Sequence, residues 1–380
     1  MLLTATCLFG LEKLVGEEID ALGYKRVETI DGRVTFEAPP EAVAVCNINF
    51  RFAERLYINM GSFYASTFEQ LFQGVKNIPW EQYIGEYDAF PVKGHSIKSK
   101  LFSIPDCQKI IKKAVVTRFE GVYCRKQFPE TGVTYKIEFF ILNDKASLMI
   151  DTSGEGLHKR GYRTEANLAP IRETLAAAMV SLSRPRDEVI LVDPCCGSGT
   201  IPIEAALMDM NIAPGINRSF AAEQFPAFPQ TMWEDAKAQA RLRQRVPVRK
   251  IFGFDIDPES LKIARNNARR AGAEHIVFEE RDVRNFVSPI EEARGTIVCN
   301  PPYGERLMDK ESAFKLYEDM GKAFSKNVPN WQLYIISSDE NFQKHFGRRA
   351  DKARKMYNGM IKCELFQFFR KTLDKPKGKC

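Results

Sequence analysis

The sequence has no CxxC pair among its nine cysteines, and its four histidines (His95, His158, His275 and His345) are scattered. That spacing argues against a disulfide framework and against a structural zinc site, so no metal is assigned. No apolar stretch is long enough to cross a bilayer. The opening residues, MLLTATCLFGLEKLVGEE, reach Glu12 and Lys13 too soon to hold a signal-peptide core. The expectation is a cytoplasmic protein. Internal repeats are missing, and so is low-complexity sequence outside the last residues. No Gly-Lys-Ser or Gly-Lys-Thr follows the glycine turn at 197–199, which excludes a P-loop.

What is present fits a globular chain of two or three domains: 380 residues, 44% hydrophobic and 27% charged. The net charge of +6 is localised, because residues 90–165 hold 14 Lys and Arg against 8 Asp and Glu while the rest balances. A basic module beside a neutral one suits a polyanionic partner, although a solvated lysine-rich surface would look the same.

The first 70 residues follow a β-α-β-β-α-β rhythm, the ferredoxin-like signature. A second small α/β unit runs to about 155. It holds the strand AFPVKGHSIKS, the helix PDCQKIIKKAVVTRF opened by Pro105, and a hairpin turning at Asn143-Asp144. On that helix Lys109, Lys112 and Lys113 fall on one face. GLHKRGYRTEAN, residues 156–167, reads as a linker, and an alternating strand-and-helix pattern occupies 168–372 before a basic tail at 373–380. Within it VILVD, IFGFD, HIVFEE, TIVC and WQLYIISS are parallel strand candidates. A terminal hairpin around Asn358-Gly359 follows, making a doubly wound sheet with an antiparallel edge.

The run VILVDPCCGSGTIPIEAAL reads strand, glycine turn, helix, with Asp193 closing the strand and Gly197 and Gly199 in the turn. An acid before the turn suits a cofactor bearing positive charge, and S-adenosylmethionine has that character. Asp255 closes IFGFD, where a carboxylate can accept from both ribose hydroxyls. Asp282 follows the next strand and is placed for an adenine amino group. Asp193 and Asp255 are 62 residues apart, whereas a bare βαβ unit needs about 30. Residues 209–249 are therefore an insertion, read as a helical cover. Further along, VCNPPYGER stops a buried-looking strand on two prolines. Neither proline donates to a sheet, and each keeps its predecessor extended. Asn300 and the Pro301 carbonyl can accept hydrogen bonds from an exocyclic amine and turn its lone pair toward a methyl donor. Pro302 stiffens the turn, Tyr303 offers a ring to a flipped-out base, and Gly304 suits a tight turn directly after them. Adenine N6, guanine N2 and glutamine amides all remain open on this motif alone.

DPCCGSGT, the acid-ended strands and NPPYGER resemble the class I S-adenosylmethionine-dependent methyltransferases that modify exocyclic amines. The similarity is greatest to the group carrying a THUMP RNA-binding domain, typified by the 23S rRNA guanine-N2 methyltransferases. LHKRGYR followed by LAPIRETLAA is similar to that group's domain junction. The resemblance implies a Rossmann-like α/β methyltransferase sheet preceded by ferredoxin-like and THUMP units. It also implies cofactor contacts at Asp193, Gly197, Gly199, Asp255 and Asp282, with the segment around Pro170 closing over the methionine end. Cys195, Ser198, Thr200, Ile256, Val283 and Asn300 are the neighbouring cofactor candidates. Lys98, Lys109, Lys112, Lys113, Arg160 and Arg163 are the RNA candidates. The favoured reading is guanine N2 methylation of 23S rRNA. A tRNA guanine-N2 enzyme, a DNA adenine-N6 enzyme and a non-catalytic RNA assembly factor are the alternatives.

Overall fold

A computed structural model of the chain describes residues 1–163, 171–303, 309–359 and 361–370. It forms two compact units, the first from residues 1–7, 12–157 and 215–240, the second from 8–11, 158–214 and the described part of 241–380.

The first unit opens with β1 (Leu2–Cys7), α1 (Glu12–Ala21), β2 (Lys25–Ile30), β3 (Arg33–Glu37), α2 (Ala42–Asn49) and β4 (Ala53–Tyr64), the ferredoxin-like order. It continues with α3 (Phe68–Lys76), β5 (Val92–Ile97), α4 (Ile104–Tyr123), β6 (Ile137–Leu142) and β7 (Lys145–Asp151). Thr67 opens α3 by accepting from the Gln70 amide at 3.2 Å, while Gln70 reaches back to the Ser66 amide at 2.9 Å. This reciprocal cap fixes where the helix starts. A boundary at 70/71 would cut through α3, so the whole helix is grouped with the second small module. The β6–β7 turn puts Asn143 and Asp144 at φ 48° and 61°, the left-handed pair that a two-residue hairpin requires. The two small modules do not form separate sheets. Antiparallel pairing of β4 with β7 joins them into one seven-stranded sheet, ordered β2-β3-β1-β4-β7-β6-β5.

The second unit contains α5 (Glu173–Leu182), β8 (Ile190–Asp193), α6 (Thr200–Asp209), β9 (Ile251–Asp255), α8 (Pro258–Ala271) and β10 (Val277–Glu280), while α7 (Gln230–Leu242), inside the insertion, belongs to the first unit through residue 240. β11 (Gly295–Cys299), α9 (Lys310–Asn327), β12 (Gln332–Ser337), β13 (Lys352–Asn358) and β14 (Ile361–Phe368) complete it. Its sheet runs β10-β9-β8-β11-β12-β14-β13, the first five strands parallel and β14 antiparallel to both neighbours. Every residue of β8 and β11 is buried, as expected for parallel strands covered on both faces. Alternate residues, among them Val192, Phe254, Cys299 and Ile335, pack with Tyr317 and Phe324 of α9 in one core. Local chemistry sets α8 sharply: Asp257 caps the Glu259 and Ser260 amides, Pro258 takes the first helical position, and Gly272 ends the helix at φ 70°. In the terminal hairpin Asn358 is the last paired residue, opposite Ile361, so the turn sits one residue later than the Asn-Gly signal suggests. The expected tail lies outside the described residues.

The insertion is the main departure. Residues 215–240 belong to the first unit, not to a cover of the second. The Phe225 ring stacks on Tyr135 with centroids 4.1 Å apart, and Phe228 stacks on Tyr83 at 6.4 Å. Backbone bonds lock the segment in place: Gly215 N–H donates to Ile48 O at 2.8 Å and Ala222 N–H to Thr152 O at 3.0 Å. Its aromatic residues seek apolar partners, and those partners lie in the N-terminal sheet unit. Phe225→Ala should therefore destabilise the protein by about 3–5 kcal/mol, the usual cost of emptying a buried aromatic site. Urea denaturation measures this, and a loss below about 1 kcal/mol would mean the segment merely rests on the surface.

Candidate active site

Parallel pairing places the carboxyl ends of β10, β9, β8 and β11 side by side. Asp193 lies opposite Gly253, and Glu280 lies opposite Asp255. Beyond those ends lies a cavity of about 540 Å³, walled by Cys195, Asp255, Ile256, Asp282, Val283 and Pro302 among others. Five of the expected cofactor residues and one of the NPPY prolines thus meet in one place.

The glycine turn is shaped by contact as well as conformation. Gly199 sits at φ 82°, and a Cβ there would meet the Ala264 Cβ at 3.0 Å. The Gly197 N–H donates to Asp255 Oδ2 at 2.8 Å, while Asp255 Oδ1 accepts from the Asp257 N–H at 3.0 Å. Each carboxylate oxygen keeps a further lone pair for two neighbouring hydroxyls. Burial raises the Asp255 pKa, opposed by those backbone donors.

Asp193 is buried and accepts from the Cys195 N–H at 3.1 Å. Burial pushes its pKa up to about 8, the Cys195 amide pulls the other way, and the Asp255 charge adds to the rise. Among the described residues, no cation is one of the groups acting on it. Asp282 has the opposite surroundings. Arg284 donates to it through the backbone at 2.9 Å and through Nε at 2.8 Å, holding its pKa below the usual carboxylate range. Ser198 and Thr200 are buried outside the cavity wall. The Ser198 carbonyl accepts from Asn267 at 3.0 Å, and the Thr200 hydroxyl from Arg163 at 3.3 Å.

In the Asn-Pro-Pro-Tyr segment the Tyr303 hydroxyl donates to Asn300 Oδ1, which leaves that oxygen one lone pair. Burial keeps the Tyr303 phenol protonated. One participant had no sequence signal. Tyr317, fully buried on α9, donates to the Pro302 carbonyl at 2.7 Å, and the Ser337 hydroxyl donates to Tyr317 at 3.4 Å. An aromatic at helical spacing reads as core, so its role as a clamp on the loop emerges only from the packing. Burial raises its pKa to about 12, so it remains a donor at neutral pH. Pro170 and Gly304 lie outside the described residues.

The RNA candidates divide. Lys98, Lys109 and Lys113 are exposed, Lys109 pairing with Asp106 at 3.8 Å. Lys112 is committed internally, to Glu130 at 2.6 Å and to the Phe90 carbonyl at 3.2 Å. Arg160 and Arg163 are withdrawn from any RNA surface. Arg160 is buried against Glu204 at 3.5 Å, and Arg163 holds Glu173 at 3.0 Å and the Ile171 carbonyl at 2.9 Å. Of the segment read as a linker, the described residues 158–163 are a packed part of the second unit, because Arg160 and Arg163 neutralise carboxylates on α6 and α5.

The RMKL-like methyltransferase domain model matches residues 160–367. The chain belongs to the RMKL-like methyltransferase family. The RlmL ferredoxin-like domain matches residues 2–57 and the THUMP domain 65–151 of this methyltransferase. It is 41% identical over 380 residues to YpsC of Bacillus subtilis (strain 168), provisionally named an RNA methyltransferase, covering 99% of this chain and 97% of that protein. It is 34% identical over 361 residues to ribosomal RNA large subunit methyltransferase K/L of Aliivibrio fischeri (strain ATCC 700601 / ES114), covering 93% of this chain and 51% of that protein. The methyltransferase therefore spans about half the length of that relative. The crystal structure of SMU.472, provisionally described as a methyltransferase and complexed with SAH, superposes with a TM-score of 0.90 at 41% identity over 98% of each chain.

The uncompensated Asp193 has a pH signature. An acid whose folded pKa exceeds its unfolded value near 4 holds its proton only in the folded state, so stability falls as pH rises from about 4 to about 8. In the ligand-free methyltransferase, Asp193→Asn should raise Tm, and by more at pH 9 than at pH 5. Thermal melts across that range test it, and a pH-independent difference would contradict the burial argument.

Proposed function

We propose that this methyltransferase transfers a methyl group from S-adenosylmethionine to an exocyclic purine amine in structured RNA, guanine N2 of 23S rRNA. The observation that carries this is the meeting of Asp193, Asp255, Asp282 and the Asn-Pro-Pro-Tyr segment at four adjacent strand ends. The chemistry of the donors fits the cofactor. Asp255 offers free lone pairs to a ribose diol, Ile256 and Val283 offer apolar flanks to an adenine ring, and Asp193 is a buried acid in want of a cation. Asp282 reaches an adenine amino group once it shares its oxygens with Arg284. When bound, S-adenosylmethionine supplies a methyl group activated by a positive sulfur.

The residues of this chain do the rest by positioning. Asn300 Oδ1 accepts one hydrogen of the target amine through its remaining lone pair, and the Pro301 carbonyl accepts the other. Together they turn the nitrogen lone pair out of conjugation. Tyr317 clamps the neighbouring Pro302 carbonyl, so both acceptors stay in register. Tyr303 steadies Asn300 and presents its ring to the extruded base. The amine's surplus proton leaves to water, and no general base is required. RNA as the substrate draws support from the THUMP domain and from the ribosomal RNA relative.

Purified protein should methylate 23S rRNA from a strain lacking the gene, and nucleoside mass spectrometry should show N2-methylguanosine. N6-methyladenosine, or transfer to tRNA or DNA in its place, would overturn the assignment. Asn300→Ala should lower single-turnover methylation on the order of 10²–10³-fold, the usual cost of removing one positioned transition-state partner. Tyr317→Phe should lower kcat about 10-fold with KM for S-adenosylmethionine unchanged. A Tyr317→Phe protein that loses stability but turns over normally would reduce the residue to a core role.

A further inference from the structure

One end of the seven-stranded sheet carries aromatic and basic side chains that neither the fold nor the methyl-transfer site uses. Tyr64 ends β4 opposite Lys145, which pairs with Leu142, which in turn lies beside Ile97 of β5. Three strand spacings separate Tyr64 from Ile97, about 14 Å. Beyond Ile97 come Lys98, Lys100 and Phe102. Phe102 is 81% exposed and Tyr64 77%, the two largest exposures among the described aromatic side chains. The loop bearing Phe102 is nonetheless fastened. The Lys100 N–H donates to Asp144 Oδ1 at 2.7 Å, the Asp144 N–H to the Ser99 hydroxyl at 3.1 Å, and the Asn143 N–H to Ile97 O at 3.3 Å. The Ala65 N–H ties the end of β4 to Asp144 O at 2.8 Å, and Leu101 is buried next to Phe102. An anchored loop that buries one apolar residue and holds the next in water presents that ring on a fixed backbone. Lys98 and Lys100 are exposed beside it, and Lys145 meets Glu28 at 3.6 Å with both side chains about half exposed.

We propose that this end of the sheet is a stacking platform for unpaired nucleotides of the RNA, an inference that rests on the RNA reading above. Every base has a π-face, and a ring flanked by ammonium groups holds an unpaired base while the cations track its phosphates. A duplex fits poorly, because its bases are stacked internally and its backbone is read by shape. The span between the two aromatic positions suits a handful of extended nucleotides. The sheet end therefore selects a single-stranded segment of the substrate RNA.

The test is fluorescence anisotropy with a labelled unpaired RNA decamer and a labelled duplex hairpin, on the full chain. Phe102→Ala and Tyr64→Ala should each weaken decamer binding about 5- to 100-fold, leaving the Tm as in the parent protein because both rings are exposed. Lys98→Ala with Lys100→Ala should reduce the salt slope by about 0.7 for each phosphate released. Decamer affinity unchanged in both aromatic variants would overturn the proposal. So would a parent protein that prefers the duplex, or one whose self-association the variants abolish without altering RNA binding. If the parent protein methylates rRNA while the variants bind the decamer normally, the platform fails and the enzymatic reading stands. Decamer binding lost in the variants, with no methylation of any RNA by the parent, supports the platform and sinks the enzymatic reading.

Discussion

A parallel sheet sends every one of its strands out through the same edge, and the rest of the second unit depends on that constraint. Residues 193, 255, 282 and 300 are far apart in the chain, yet each ends or succeeds a strand whose neighbours point the same way. The helical connections after β8 and β9 and an irregular one after β10 return the chain to the opposite edge, so successive strand ends accumulate functional groups on one side. The register does the fine placement, setting Asp193 level with Gly253 and Asp255 level with Glu280. A small residue at 253 and a glycine at 199 then let the turn after β8 sit close against its neighbours.

Around this edge the protein buries charge in two contrasting ways. Among the described residues between 158 and 173, Arg160 and the Tyr162 hydroxyl both reach Glu204, and Arg163 spans Glu173, Thr200 and the Ile171 carbonyl. Such matching is what makes a buried ion tolerable, since leaving one partner alone is strongly destabilising. These links also tie the residues before α5 to the first residue of α6, immediately after the glycine turn. Asp193 has no such cation among the described residues, and its raised pKa records the desolvation. The contrast between these matched ions and the desolvated Asp193 is what supports the proposal that Asp193 receives a positively charged group of the cofactor.

Much of this was readable in advance because it is local. Alternating apolar residues announce β1 to β4, Pro105 announces the start of α4, and Asn143-Asp144 announces its hairpin, each within a few residues of the structure it directs. The acids at strand ends were legible for the same reason, since a strand and its terminus occupy one short window. Lysine spacing on α4 was legible too, but not which lysine stays free. Lys112 is claimed by Glu130, 18 residues away, and no periodicity encodes that partner.

By itself, then, the sequence determined the elements, the two sheet classes and the groups proposed to hold a positively charged cofactor and an amine. The tertiary structure alone decided allegiance. It assigned residues 215–240 to the N-terminal unit, turned Arg160 and Arg163 inward, merged two small modules into one sheet, and brought Tyr317 onto the Pro302 carbonyl. The reason is that secondary structure arises from backbone stereochemistry and short-range patterning. Burial and pairing instead depend on which distant surface offers the best match, as Tyr135 does for Phe225 across 90 residues of chain.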